Sequence, residues 1–254
     1  MKIFYKHTQV KVLLVIISCC LSMDVFASDN ILTNKKDTVP GEFNIKNASF
    51  LLPQALPKGK FSSALYLLNV VIPSDWTLDI IRAPMFSYAV KYTLPYGFNL
   101  QSSLATLFIS NRINFGPFWN YSSNNYHFGI GYQVAFNYGI LRDFGYNTTL
   151  TGWEQQPSLA VGYSFKTMAI TMRGDLYYTN SFTQTSGHNA IEFPAAFLNG
   201  YSITTSLEQR LWKNRVMSFG FKFNYLRYHI IAWPAFPVNK YKYIVPEFQL
   251  GLNF

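Results

Sequence analysis

The sequence predicts an all-β fold: a transmembrane, antiparallel up-and-down β-barrel of about ten strands, with eight or twelve as alternatives. Three observations predict it. Aromatic residues make up 18% of the 254-residue chain and charged residues only 13%, where soluble domains carry about 25% charge. Beyond the N-terminus no run of 18 apolar residues occurs, so no helix is available to cross a bilayer. Yet segment after segment alternates apolar and polar side chains at every second position, the period of a strand with one face in oil. In lipid, strands satisfy all their backbone groups only by closing into a barrel.

The N-terminus reads as a secretory signal. Lys2, Lys6 and Lys11 form its positive region, Val12–Leu21 its apolar core, and Val25-Phe26-Ala27 a cleavage site, so residues 1–27 are expected to be removed. An uncleaved anchor and a lipoprotein signal at Cys19 or Cys20 are alternatives. Both cysteines leave with the signal, so the mature chain has no thiol for a disulfide or a metal. Residues 28–59, polar and interrupted by Pro40, Pro53 and Pro57, read as a loosely structured N-terminal segment.

From Lys60 the strands follow in order. Lys60–Ile72 is apolar but alternates poorly. Met85–Leu94 places Phe86, Tyr88, Val90 and Tyr92 on one face, and Phe98–Ile109 does so with Phe98, Leu100, Leu104 and Phe108. His127–Gly139 alternates most clearly, Phe128 to Tyr138 against Gly129, Gly131, Gln133, Ala135 and Asn137. Ser158–Phe165, Met168–Asn180, Tyr201–Leu211, Val216–His229 and Lys242–Phe254 complete nine. A barrel with both chain ends on one side needs an even number. The tenth strand is expected in 110–126, where Ile113, Phe115 and Trp119 alternate despite Pro117. A rival position is Phe43–Leu52. Tight hairpins are expected at Pro95–Gly97, Lys166–Thr167 and Trp212–Asn214, and long loops at 73–84, 140–157, 181–199 and 230–241.

The last strand sets Phe248, Leu250, Leu252 and Phe254 against Glu247, Gln249, Gly251 and Asn253. With the signal, the period-2 strands, the aromatic excess and the final Phe, the chain resembles bacterial outer-membrane β-barrel proteins over roughly residues 60–254. The resemblance implies a Gram-negative outer membrane, surrounding lipid and lipopolysaccharide, and Phe254 as the signal read by the barrel-assembly machinery. It implies no particular activity.

Outward aromatics near strand ends, Trp153, Trp212, Trp233, Tyr178 and Tyr201, suit the headgroup girdles. Inward positions carry Lys91, Arg173, Asp175, Glu208, Arg210, Lys222 and Glu247. Unpaired charges in a narrow lumen are costly, so these are expected to pair. They suit either a filled, ion-paired core or a charged constriction for a small solute. Inward Gly129 and Gly131 leave room for a bulky neighbour.

Candidate chemistry is sparse. His188 lies close in sequence to Ser186 and Glu192, and His229 near the outer end of its strand; a histidine beside a carboxylate can activate a serine or water. Other acids expected in outer loops are Asp75, Asp79, Asp143 and Glu154. No phosphate loop or metal spacing occurs, so no cofactor is expected. The net charge of +9 is scattered rather than clustered, which argues against nucleic acid and suits anionic headgroups. The leading expectation is a non-enzymatic barrel, a narrow passage or binder for small or hydrophobic molecules. A rim-located hydrolase or acyltransferase of envelope lipid, and a purely structural or surface-binding barrel, remain alternatives.

Overall fold

The computed structural model describes residues 43–74, 80–142, 147–186, 189–193, 196–212, 215–231 and 241–254. A helical turn, α1 (Ile45–Ala48), precedes eleven strands: β1 (Phe61–Ile72), β2 (Ile81–Thr93), β3 (Phe98–Thr106), β4 (Ser110–Ser123), β5 (Tyr126–Leu141), β6 (Thr148–Ser164), β7 (Met168–Ser186), β8 (Asn189–Phe193), β9 (Phe197–Trp212), β10 (Arg215–Leu226) and β11 (Tyr243–Asn253). Ten of them form a closed antiparallel barrel. Each pairs with the next, β7 continues to β9, and β1 joins β11 from Ala64↔Asn253 to Val70↔Glu247. The short β8 pairs with the tip of β7 beyond the stretch that β9 covers.

The strand demanded by parity is β4, and its Ile113, Phe115 and Trp119 point out of the barrel. The rival site at Phe43–Leu52 holds α1 and a turn into the lumen instead. Two expected loops are largely strand. Most of 140–157 belongs to β5 and β6, and 181–199 contributes to β7, β8 and β9. Pro157, which lacks a ladder donor, and Gly152 are loop-type residues, yet both sit within β6, opposite Tyr132 and Asn137. Val216–His229 ends as a strand at Leu226. At 19 residues β7 extends for roughly 60 Å, against roughly 30 Å for the 9 residues of β3. The β5–β9 wall therefore rises well beyond the β2–β3 wall at the far end of the barrel, opposite Lys60 and Phe254.

At the near end the hairpins are tight. Tyr96 (φ 61°) and Gly97 (φ 79°) both take left-handed backbone, as a type I′ turn requires. At Gly97 a Cβ would stand 2.3 Å from the Asn120 carbonyl oxygen, so the turn demands glycine.

The outer face is apolar on every side: Phe86, Phe115, Ile130, Leu159, Met172, Ile203, Phe223 and Phe248 are all exposed. Trp153, Trp212, Tyr178 and Tyr201 are exposed among them, while Trp233 lies outside the described residues. Inside, the wall is divided. Leu68, Val70, Ile72, Met85 and Val245, from β1, β2 and β11, form an apolar patch toward the far end. This explains the weak alternation of β1, whose two faces are both apolar there. Polar and charged side chains line the β4–β10 side.

Gly129 and Gly131 face the lumen beneath the Phe118 ring, and a Cβ at Gly131 would lie 2.0 Å from it. Gly131→Val is expected to cost about 1–3 kcal/mol by overpacking. Phe118→Ala in the same chain should recover part of that loss in urea unfolding; no recovery would show that the ring is not what fills the space.

Candidate functional site

Two stretches of chain that do not belong to the wall turn into the barrel interior, one toward each end. Toward the near end lie residues 49–53, the floor. Glu208 of β9, with no exposed surface, holds them. Its Oε1 accepts from the Phe50 and Leu51 amides at 2.8 and 3.1 Å, its Oε2 accepts from the Leu52 amide at 3.1 Å, and Ser49 donates its hydroxyl to the same carboxylate. Asn253 Nδ2 donates to it at 2.6 Å from β11. Lys91, 2% exposed, donates from Nζ to the Phe50 carbonyl at 2.8 Å and lies 5.0 Å from the centre of its ring. Ile45 and Leu52 pack with Ala169 and Val216, and Lys46 donates to the Asn124 carbonyl at 2.7 Å. Four successive residues with no ladder of their own are thus satisfied by one carboxylate and one ammonium.

Toward the far end lie residues 227–231, the roof, which turn inward after β10. Asn199 seats them. Its Oδ1 accepts from the Tyr228 amide at 3.1 Å, and its Nδ2 donates to the Tyr228 carbonyl at 3.2 Å and to Glu154 Oε1 at 3.1 Å. Asn199 is the extra residue of a β-bulge: Tyr178 pairs with Leu198 and Tyr177 with Gly200. Bulges re-aim side chains in this way. The Tyr228 ring meets Phe182 edge to face at 4.8 Å, and Ile230 and Ile231 pack on the apolar patch.

Between floor and roof lies a cavity of about 230 Å³. Two ion pairs cross its wall. Arg112 of β4 pairs with Glu154 of β6, which also accepts from Asn137 Nδ2 and Thr179 Oγ1, each at 3.1 Å. Arg173 Nε donates to Asp175 Oδ1 at 2.8 Å, and Ser158 donates to the same oxygen at 2.6 Å. Lys222 and Glu247 face one another across the β10–β11 pair.

His229 belongs to the roof, 8% exposed. The Ile231 amide approaches its Nδ1 at 3.4 Å, which leaves the proton on Nε2, 3.9 Å from Glu247 Oε2 and beyond hydrogen-bond reach. Burial, then Lys222 and Arg112, pull its pKa down to about 3. The imidazole is therefore neutral in the closed roof and titrates near 6.5 once released. Above pH 6.5 it contributes nothing to closure. As pH falls from 6.5 toward 3, only the released segment takes up the proton, so opening is favoured. The protection factors of the Tyr228–Ile231 amides, corrected for the intrinsic exchange rate at each pH, should fall between pH 7 and 4.5, and His229→Gln should remove that fall.

Of the seven charges expected in the lumen, Arg173 and Asp175 pair, Lys91 and Glu208 grip the floor, and Lys222 and Glu247 line the cavity. Arg210 differs: it is exposed at the near mouth, 4.6 Å from the centre of the Phe43 ring, because it lies near the last turn of β9. Glu154, expected in an outer loop, is a lumen residue with 1% exposure, because β6 continues back to Thr148. Arg112 and Asn199 were not singled out by pattern. Carrying the alternation of Leu159 and Val161 backward through Pro157 would have turned Glu154 inward, but the bulge at Asn199 leaves no pattern to read. His229 lies past the end of β10 and turns into the lumen rather than standing on the rim. His188 lies outside the described residues, as do the side chains of Ser186 and Glu192, whose backbones belong to β7 and β8. Phe254 donates its amide to the Ser63 carbonyl at 2.8 Å, and its ring lies 4.4 Å from the Arg215 guanidinium.

No protein-family model matches the chain, and no curated protein sequence does. Among solved structures it is similar to neisserial surface protein A, at 16% identity over 76% of this chain and 95% of that one, with a TM-score of 0.37. It is also similar to the KdgM porin, at 9% identity over 75% and 98% of the two chains, with a TM-score of 0.41. A third is Ail, the attachment invasion locus protein of Yersinia pestis, at 11% identity over 78% and 100%, with a TM-score of 0.29.

Proposed function

We propose that this chain is an integral barrel of a Gram-negative outer membrane, exported by a signal cleaved near Ala27, and that it is a non-enzymatic binder and narrow, closable passage for small solutes. The observation that carries this reading is the lumen: a cavity of about 230 Å³ lined by residues of 49–53 and 227–231, both seated by side-chain hydrogen bonds and packing rather than by strand pairing. The apolar outer face supports the location, since so many exposed Phe, Leu, Ile and Met side chains would be costly in water. Short turns on the periplasmic side are the rule for such barrels, which supports a periplasmic near end, with the floor, and a taller wall outside. The cavity falls below the 300–1,000 Å³ of drug-sized sites, which suits a small metabolite.

Conductance of the refolded protein in a planar bilayer, in two salts of different ion size, tests the reading. The expected record is a mostly silent barrel with brief, small steps. Large, steady, unselective conductance would overturn it, as would silence that persists after the floor is released.

A further inference from the structure

We propose that the lumen cavity is a site for a small zwitterion, a solute carrying one carboxylate and one ammonium on a short carbon skeleton, bound between Lys222 and Glu247. This rests on reading the lumen as a solute site. Three cations and three carboxylates line the cavity, so its wall is balanced in formal charge. Two of the pairs are closed, Arg112 with Glu154 and Arg173 with Asp175. The third is not. Lys222 and Glu247 are register partners on β10 and β11, yet among the described residues no ion pair joins them. Glu247, 4% exposed, accepts a long hydrogen bond from Asn224 at 3.5 Å, and Lys222, whose Nζ stands 5.7 Å from the centre of the Tyr177 ring, is hydrogen-bonded to that side chain and feels Glu247 and Asp175 without a direct ion pair to Glu247.

Two residues of the same cavity wall, Tyr228 and Thr171, carry buried hydroxyls with no hydrogen-bond partner among the described residues. Buried polar groups seldom go unsatisfied, and each costs about 1–3 kcal/mol when they do. A polar guest toward which either side chain turned would satisfy it. A solute of net charge would unbalance a desolvated wall whose other charges are already paired, at a large solvation cost. A zwitterion adds no net charge. Its carboxylate takes Lys222 and its ammonium takes Glu247. Its hydrocarbon part meets the apolar side of the cavity, where Leu68, Met85 and Ile230 stand. Tyr228 belongs to the roof, so a guest that bonds its hydroxyl also holds the roof shut.

Isothermal titration of the refolded protein in micelles with L-valine, isovalerate, isobutylamine and glucose tests the assignment. L-Valine should bind saturably, at least tenfold more tightly than isovalerate, which lacks the ammonium, or isobutylamine, which lacks the carboxylate. Lys222→Met and Glu247→Gln should each weaken L-valine at least tenfold, and Tyr228→Phe should weaken it less. Heat-modifiability on gels shows whether each variant is folded; where one is not, the wild-type ligand series decides alone. Equal binding of the three charged ligands, a preference for glucose, or no binding of L-valine overturns the proposal. Liposome influx separates the two readings. Glucose and L-valine entering equally would leave the passage standing and remove the zwitterion, whereas no solute entering or binding removes both.

Discussion

Glu208→Ala is expected to turn a mostly silent barrel into a conducting one. Glu208 is the shared acceptor of the Ser49 hydroxyl, the amides of residues 50–52 and the Asn253 side chain. With the carboxylate gone, those donors are buried without an acceptor and Lys91 keeps its charge in the same space. Removing one member of such a buried charged network costs about 3–5 kcal/mol, and each 1.4 kcal/mol is tenfold in an equilibrium constant. The fraction of molecules with the floor displaced should rise about a hundredfold or more. The wall itself should persist, because no strand pairing of β1–β11 depends on residues 49–53. Two measurements read the outcome: channel steps in planar bilayers, and trypsin cleavage after Lys58 and Lys60 from the near side. Asn253→Ala, which removes only a neutral donor, should have a far smaller effect. A Glu208→Ala barrel that stays silent and uncut would mean that the floor is held by packing alone.

The second large effect is expected at Glu154. This carboxylate binds Arg112, Asn137, Thr179 and Asn199, and Asn199 in turn seats Tyr228. Glu154→Ala leaves the Arg112 guanidinium in the lumen without its counter-charge, and should lower stability to urea by about 3–5 kcal/mol. The roof should loosen with it. The paired replacement Arg112→Met with Glu154→Leu should restore most of that loss, since two apolar groups of similar volume carry no desolvation penalty. The cycle has a sharp reading: a double variant as unstable as the sum of its singles would show that the two residues act independently.

Both effects concern the lumen, and the lumen is where pattern reading was weakest. Strands β5 and β11 were legible because their two faces differ in kind, aromatic and aliphatic outside, small and polar inside. Parity asked for one more strand, and the alternation of Ile113, Phe115 and Trp119 placed it at β4 rather than at Phe43–Leu52. The length of β6 did not follow, since Gly152 and Pro157 carry the marks of a loop while lying in a ladder between two long neighbours. The floor was also hidden. Ser49–Pro53 has no periodicity, and its fixed place comes from Glu208 and Lys91, separated from it by about 157 and 41 positions in the chain.

The sequence by itself determined the outside of this protein. A lipid-facing side chain needs only to be apolar, and no particular partner is required, so every second residue reports its face without reference to any other strand. It also determined that the strands close, because backbone groups in oil leave no alternative. Only the tertiary structure decided what the inside does. Lumen charges are meaningful in pairs, and pairing depends on register between strands, where a shift of one residue exchanges the two faces. The bulges that leave Asn180 and Asn199 unpaired make such shifts: beyond Asn180 it is Phe182 and Gln184 that point inward, and Asn199 aims at Glu154 and the roof. Whether Arg112 meets Glu154 is settled by the unbroken register of β4, β5 and β6, and Lys222 and Glu247 are brought level by that of β10 and β11.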